Sequence, residues 1–123
     1  MRWARAVILS PVLIAACLDP KPVNDAVREM RGGPASKSFR ISPAKRGWLA
    51  KQPWADPTRC KFLGAHEEEY FALFHCDNGD DIRLLFNIGE TEKPTDAART
   101  VHLIHAYLRH ADGGVTEVPM DLR

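Results

Sequence analysis

The residues of this 123-residue chain that could do covalent or metal chemistry are three cysteines, five histidines and a few serines. Cys60 and Cys76 form no Cys-x-x-Cys pair and have no evident redox partner, so neither reads as catalytic. An even pair in a small domain reads as a structural disulfide where the compartment is oxidising, the alternative being two free buried thiols. Closing a loop of about 15 residues contributes around 3 kcal/mol in the chain-entropy picture. His102 and His105 could ligate one metal from a helical turn, with His66, His75 or His110 as third ligand, but there is no His-Glu-x-x-His, and packed or exposed histidines are expected instead of a metal site. Glu67-Glu68-Glu69, Asp77, Asp80 and Asp81 lack the spacing of a calcium loop and read as solvated turns. Ser36, Ser38 and Ser42 lie outside any Gly-x-Ser-x-Gly elbow. The expectation is therefore a protein without enzymatic activity, cofactor or metal.

The third thiol has a different setting. Cys17 follows Leu13-Ile14-Ala15-Ala16, an apolar stretch from Ala6 to Ile14 and the charged start Met1-Arg2-Trp3-Ala4-Arg5. That order is the layout of a secretory signal, and the apolar run is far shorter than the ~20 residues of a membrane-crossing helix. Ile14-Ala15-Ala16-Cys17 resembles the lipobox of bacterial lipoproteins. The resemblance implies cleavage after residue 16, acylation of the Cys17 thiol and a lipid anchor in the cell envelope. Leu18, where some bacteria place a retaining Asp, implies sorting to the outer membrane, facing the periplasm. Each buried acyl methylene contributes about 0.8 kcal/mol, so two or three chains hold a protein on a membrane almost permanently.

Removing residues 1–16 leaves 107, enough for one small domain. Two of the 17 basic residues go with the signal, leaving 15 against 16 acidic ones. The distribution is polarised, with ten basic and three acidic residues in 21–61 but five basic and twelve acidic in 62–123. Pro20, Pro22, Gly32, Gly33, Pro34, Ser36 and Ser38 make residues 17–40 read as a lipidated Cys and a flexible tether. Within it, a short helix capped by Asn24 and ended by Gly32 would be marginal alone. Ser42-Pro43 predicts a helix to about Lys51. Arg40, Lys45, Arg46 and Lys51 beside Trp48 and Trp54 form a basic tract suited to an anionic surface such as lipopolysaccharide, phospholipid or cell-wall polymer, unless both Trp pack on the core.

Asn78-Gly79 between two strand-forming runs, 69–76 and 82–88, predicts a hairpin with a two-residue turn. That turn sets Asp77 opposite Asp80, His75 opposite Ile82, Leu73 opposite Leu84 and Phe71 opposite Phe86. These six apolar or aromatic partners, with Ile88, would form the core face, leaving Tyr70, Phe74, Arg83 and Asn87 on the other. Pairing Cys60 with Cys76 sets Phe62 opposite Phe74 and makes a three-stranded meander, although the disulfide could instead join the strand to a loop. Thr95 can cap a helix from Asp96 to about His110 along Val101, Ile104 and Leu108, with a strand alternating through Val101, Leu103, His105 and Tyr107 as rival. Val115-Thr116-Glu117-Val118 reads as an edge strand stopped by Pro119. The expected fold class is α+β: residues 41–123 as a small antiparallel sheet of three to four strands, one packed C-terminal helix and a Cys60–Cys76 disulfide.

Phe74-His75-Cys76-Asp77-Asn78-Gly79-Asp80-Asp81-Ile82-Arg83-Leu84 is similar to the strand, Cys, acidic-Gly turn and strand that open the lipoprotein inhibitors of c-type lysozyme. That resemblance implies a small disulfide-bonded envelope β-barrel, although the Ser-Gly-x-x-Tyr loop of those inhibitors is missing here. The leading expectation is a non-enzymatic envelope lipoprotein that meets the membrane through its anchor and acts on an envelope protein or polymer. Anionic-surface binding and lysozyme inhibition are the alternatives, and nucleic acid is not an expected partner.

Overall fold

The computed structural model describes residues 19–65, 70–89 and 98–120. The signal segment, Cys17, His66, Glu67-Glu68-Glu69 and the Thr95 cap lie outside them. The chain runs α1 (Lys21–Met30), β1 (Phe39–Ile41), α2 (Pro43–Ala50), a 3-10 turn (Pro53–Ala55), β2 (Cys60–Ala65), β3 (Phe71–Cys76), β4 (Asp81–Ile88), β5 (Arg99–Arg109) and β6 (Val115–Glu117). The fold is α+β as expected, but among the described residues its sheet is mixed and six-stranded, not an antiparallel sheet of three to four strands; the order is β1-β5-β4-β3-β2, with β6 paired to β5. Its β1 strand runs parallel to β5. Because β4 follows β5 from Val101 to Arg109, β1 and β6 share the opposite flank of β5.

The β3–β4 hairpin has a loop one residue longer than its Asn-Gly pair suggests, starting at Asp77. His75 lies opposite Asp81, Phe74 opposite Ile82, Ala72 opposite Leu84 and Phe71 opposite Leu85. Cys76 N–H donates to Asp80 O at 2.8 Å and Gly79 N–H to Cys76 O at 3.0 Å, so the loop has three residues, Asp77, Asn78 and Gly79. Gly79 supplies the left-handed φ of 93° that closes such a loop. A slip of one residue exchanges faces. Ala72, Phe74 and Cys76 are therefore buried with Ile82, Leu84 and Phe86, while Phe71, Leu73 and His75, expected inside, lie on the other face.

Cys60 pairs with Cys76 and Phe62 with Phe74, and the two sulfurs are bonded. The hydrogen bond from Asp77 N–H to Arg59 O marks the cysteines as a narrow, non-hydrogen-bonded pair, with Cα atoms 3.9 Å apart. After Phe62 the strand bulges, putting Leu63 outside and Gly64 at φ 111°.

Two elements differ from the sequence expectation. Residues 99–109 form β5, not a C-terminal helix. A bulge opposite Leu85/Phe86 pairs Leu85 with His105 and Phe86 with Leu103, inserting Ile104. Val101, Leu103 and Ala106 are thus all buried, and the step of three from Leu103 to Ala106 imitates a helical stripe. Residues 21–41 are not a free tether. Val23, Ala26, Val27 and Met30 repeat at i, i+3, i+4 and i+7, and all four are buried in the core. The helix begins before Asn24, with Asp19 Oδ1 accepting Lys21 N–H at 3.0 Å, and ends as expected at Gly32.

Two charged residues near the end of α1 bind this layer to the sheet. Glu29 Oε1 accepts the Ile41 N–H at 3.0 Å and its Oε2 accepts Arg46 Nε at 2.9 Å, joining α1, β1 and α2. Arg31 donates to Trp54 O and Cys60 O and lies 5.4 Å from the Phe74 ring centre. Asp25 is buried on α1 with Lys21 and Arg28 at 3.0 and 3.1 Å. Burial pushes its carboxyl up, but hydrogen bonds from Ser36 and Lys21 and the charges of Lys21 and Arg28 outweigh that and hold it below the ordinary range.

Reducing the disulfide, or replacing both cysteines by Ala, should lower unfolding free energy by about 3 kcal/mol in urea titration. The hairpin register makes a sharper prediction. Phe74→Ala should cost about 3–5 kcal/mol, the ordinary loss for a core aromatic, and Phe71→Ala less than half of that.

Candidate functional site

The helices cover one face of the sheet. Among the described residues no helix covers the other, where the register sets side chains in cross-strand rows. Lys61, His75, Asp81, Arg109 and Val115 form one row; Leu73, Arg83, Tyr107 and Glu117 form the next; Phe71, Leu85 and His105 form a third. Leu63 and Val115, at 56% and 64% exposure, stand at opposite sides of this face. Between them lies a groove of about 510 Å³ lined by Leu63, Phe71, Leu73, Tyr107 and Val115 together with Asp81, Arg83 and Arg109. That size falls within the range of small-molecule sites.

The polar groups of the groove are not equivalent. Asp81 uses both oxygens, accepting from His75 Nδ1 at 2.6 Å and from Arg109 Nη2 at 2.8 Å. An ionised carboxylate only accepts, so Nδ1 of His75 carries the hydrogen. The His75 hydrogen bond first, and the Arg109 bond next, hold the Asp81 carboxyl below the usual carboxylate range. Glu117 Oε2 is likewise taken by His105 Nδ1 at 2.6 Å, and the His105 ring stacks on Tyr107 with centres 5.6 Å apart. Arg83 differs. Its guanidinium lies 5.3 Å from the Phe71 ring centre, and neither it nor the cross-strand Tyr107 hydroxyl has a hydrogen-bond or ion-pair partner among the described residues.

The residues singled out from sequence are dispersed. Cys60 and Cys76 form the disulfide, and Cys17 lies outside the described residues. The basic tract does not form one cationic, Trp-bearing patch. Trp54 is 2% exposed and pairs with half-buried Trp48, their ring centres 5.8 Å apart. Arg46 is held by Glu29, and Lys45 Nζ donates to Leu103 O. Arg40 and Lys51 remain exposed. His102 is exposed, and His105 and His75 have separate carboxylate partners. Among the described residues no three His, Cys, Asp or Glu side chains converge as a metal site. The groove residues Phe71 and Leu73 were missed because the two-residue turn assigns them to the core. The disulfide carried the missing signal, since buried Cys76 shares a face with Phe74 and Ala72.

The described residues thus define a small disulfide-stapled α+β domain with one helix-covered and one open sheet face. Among them no helix is long and apolar enough to cross a membrane. No family model, curated protein or solved structure matches the chain.

Asp81 supplies a pH test. Its folded-state carboxyl titrates below its unfolded value of about 3.9, so its stabilising contribution is full above that pH and disappears as pH falls through the folded value. In urea melts, the stability gap between the native protein and Asp81→Asn should be widest near neutrality and close as pH falls below about 3.9. A gap that widens on acidification would contradict the assignment.

Proposed function

We propose that this chain is a non-enzymatic lipoprotein of the bacterial cell envelope, anchored through acylated Cys17, whose domain works by contact through its open sheet face. The observation that carries the reading is the Cys60–Cys76 disulfide downstream of a lipobox-like Ile14-Ala15-Ala16-Cys17. Structural disulfides belong to compartments outside the reducing cytosol, and a secretory signal leads there. The groove supports the contact role, because exposed apolar side chains rimmed by charges mark interaction surfaces.

The fold changes the expected reach of the anchor. Because α1 begins at Lys21, four residues after Cys17, an extended link spans at most about 14 Å. An acylated Cys17 would hold the domain against the bilayer surface rather than at the end of a long tether.

Metabolic labelling with a palmitate analogue should mark the native protein and not Cys17→Ser, which should leave the membrane fraction; a Cys17→Ser protein that still labels and stays membrane-bound refutes the anchor. For the surface, a photocrosslinking residue at Leu73 should capture an envelope component in intact cells. The same residue at Ala50, exposed on the helix-covered side, should not. Equal capture from both positions, or none from Leu73, refutes the assignment of the open face.

A further inference from the structure

We propose that the groove on the open face binds a single amphiphilic monocarboxylate, with the Arg83 guanidinium and Tyr107 hydroxyl receiving the head group and Leu63, Leu73 and Val115 receiving the hydrocarbon. This deepens the proposed function and rests on its reading of the open face as the working surface. The groove lining carries two guanidinium groups against one carboxylate. That carboxylate, Asp81, is already shared between His75 and Arg109. Glu117, in the same cross-strand row as Arg83 and Tyr107, is held by His105. Among the described residues, Arg83 is therefore the uncompensated cation of an otherwise largely apolar groove.

Its placement suits the role. The ring of Phe71 supports the guanidinium from within the sheet. A planar guanidinium offers a fork of N–H donors that matches the two oxygens of a carboxylate. The residue opposite Arg83 on β5 is Tyr107, so both donors stand in one cross-strand row. Leu73 is the β3 partner of Arg83, and Leu63 stands beyond it in the β2 bulge. Val115 extends from the opposite side of the groove. Charge and apolar surface are thus side by side, an arrangement that a carboxylate with an alkyl chain satisfies and a small inorganic anion does not.

Fluorescence titration with dansyl-undecanoate tests this, using the full chain with Cys17→Ser to keep its own acyl group out of the assay. The probe should bind saturably, laurate should displace it, and methyl laurate, with the same chain and no charge, should not. Arg83→Gln should weaken probe binding at least ~10-fold, which corresponds to about 1.4 kcal/mol. Leu73→Glu should abolish it with the circular-dichroism spectrum retained, and Tyr107→Phe, which removes only the hydroxyl, should weaken it while keeping the fold.

Equal binding by the native side chain and Arg83→Gln, equal displacement by the ester, or no probe binding overturns the ligand class. Sedimentation with phosphatidylglycerol vesicles in the absence of laurate-displaceable probe binding also overturns it, in favour of a membrane surface. These failures are separable from failure of the functional reading. Leu73 crosslinks without Arg83-dependent probe binding leave the contact surface standing and remove the carboxylate; Arg83-dependent binding without crosslinks does the reverse.

Discussion

Inside and outside in this domain are decided by the length of one loop. With three residues between Cys76 and Asp80, the side chains of Ala72, Phe74 and Cys76 point with Ile82, Leu84 and Phe86. With two, β3 would turn over, and Phe71, Leu73 and His75 would enter the core. The second arrangement would bury an imidazole while exposing Phe74. It would also turn Cys76 away from the buried layer in which Cys60 sits. Hydrophobic burial and the disulfide therefore select the same register. From that register follow the apolar core on one side and the mixed apolar and charged rows on the other.

The helical layer is asymmetric because it is fastened at particular points. Glu29 and Arg31 leave the end of α1 in different directions. Glu29 joins β1 to α2, and Arg31 reaches the carbonyls of Trp54 and Cys60. Both make charge-assisted hydrogen bonds, which give direction to packing that apolar contacts alone leave loose. Arg31 also occupies part of the outer edge of β2 at Cys60, where an unpaired carbonyl would invite another strand. The result is one closed face and one on which the partly exposed apolar residues collect.

The charge division of the sequence acquires a different meaning in the fold. The basic front half supplies α1, β1 and α2, and several of its cations are engaged within that layer: Arg46 with Glu29, Arg28 and Lys21 with Asp25. The acidic back half supplies the open face, yet the carboxylates there are bound by neighbours, Asp81 by Arg109 and His75, and Glu117 by His105. Local pairing, not the sum over a segment, sets which charges face a partner. Arg83 stands out in the acidic half for that reason.

The sequence by itself determined features that depend on near neighbours or on one strong pairing. Ser42-Pro43 starts a helix because proline suits its first turn, and Asn78-Gly79 reverses the chain because glycine accepts a left-handed backbone. Pairing of Cys60 with Cys76 sets Phe62 against Phe74, and Pro119 follows a short edge strand. The tertiary structure decided what those local signals leave degenerate. Two- and three-residue hairpin loops both suit an Asn-Gly turn, and burial together with the disulfide distinguishes them. A bulge at Ile104 lets β5 carry helix-like apolar spacing, and the ladder with β4 resolves the ambiguity. A ten-residue helix such as α1 is marginal until Val23, Ala26, Val27 and Met30 find the sheet. The open groove is likewise invisible in linear order, because it is assembled from five strands whose register depends on contacts distant along the chain.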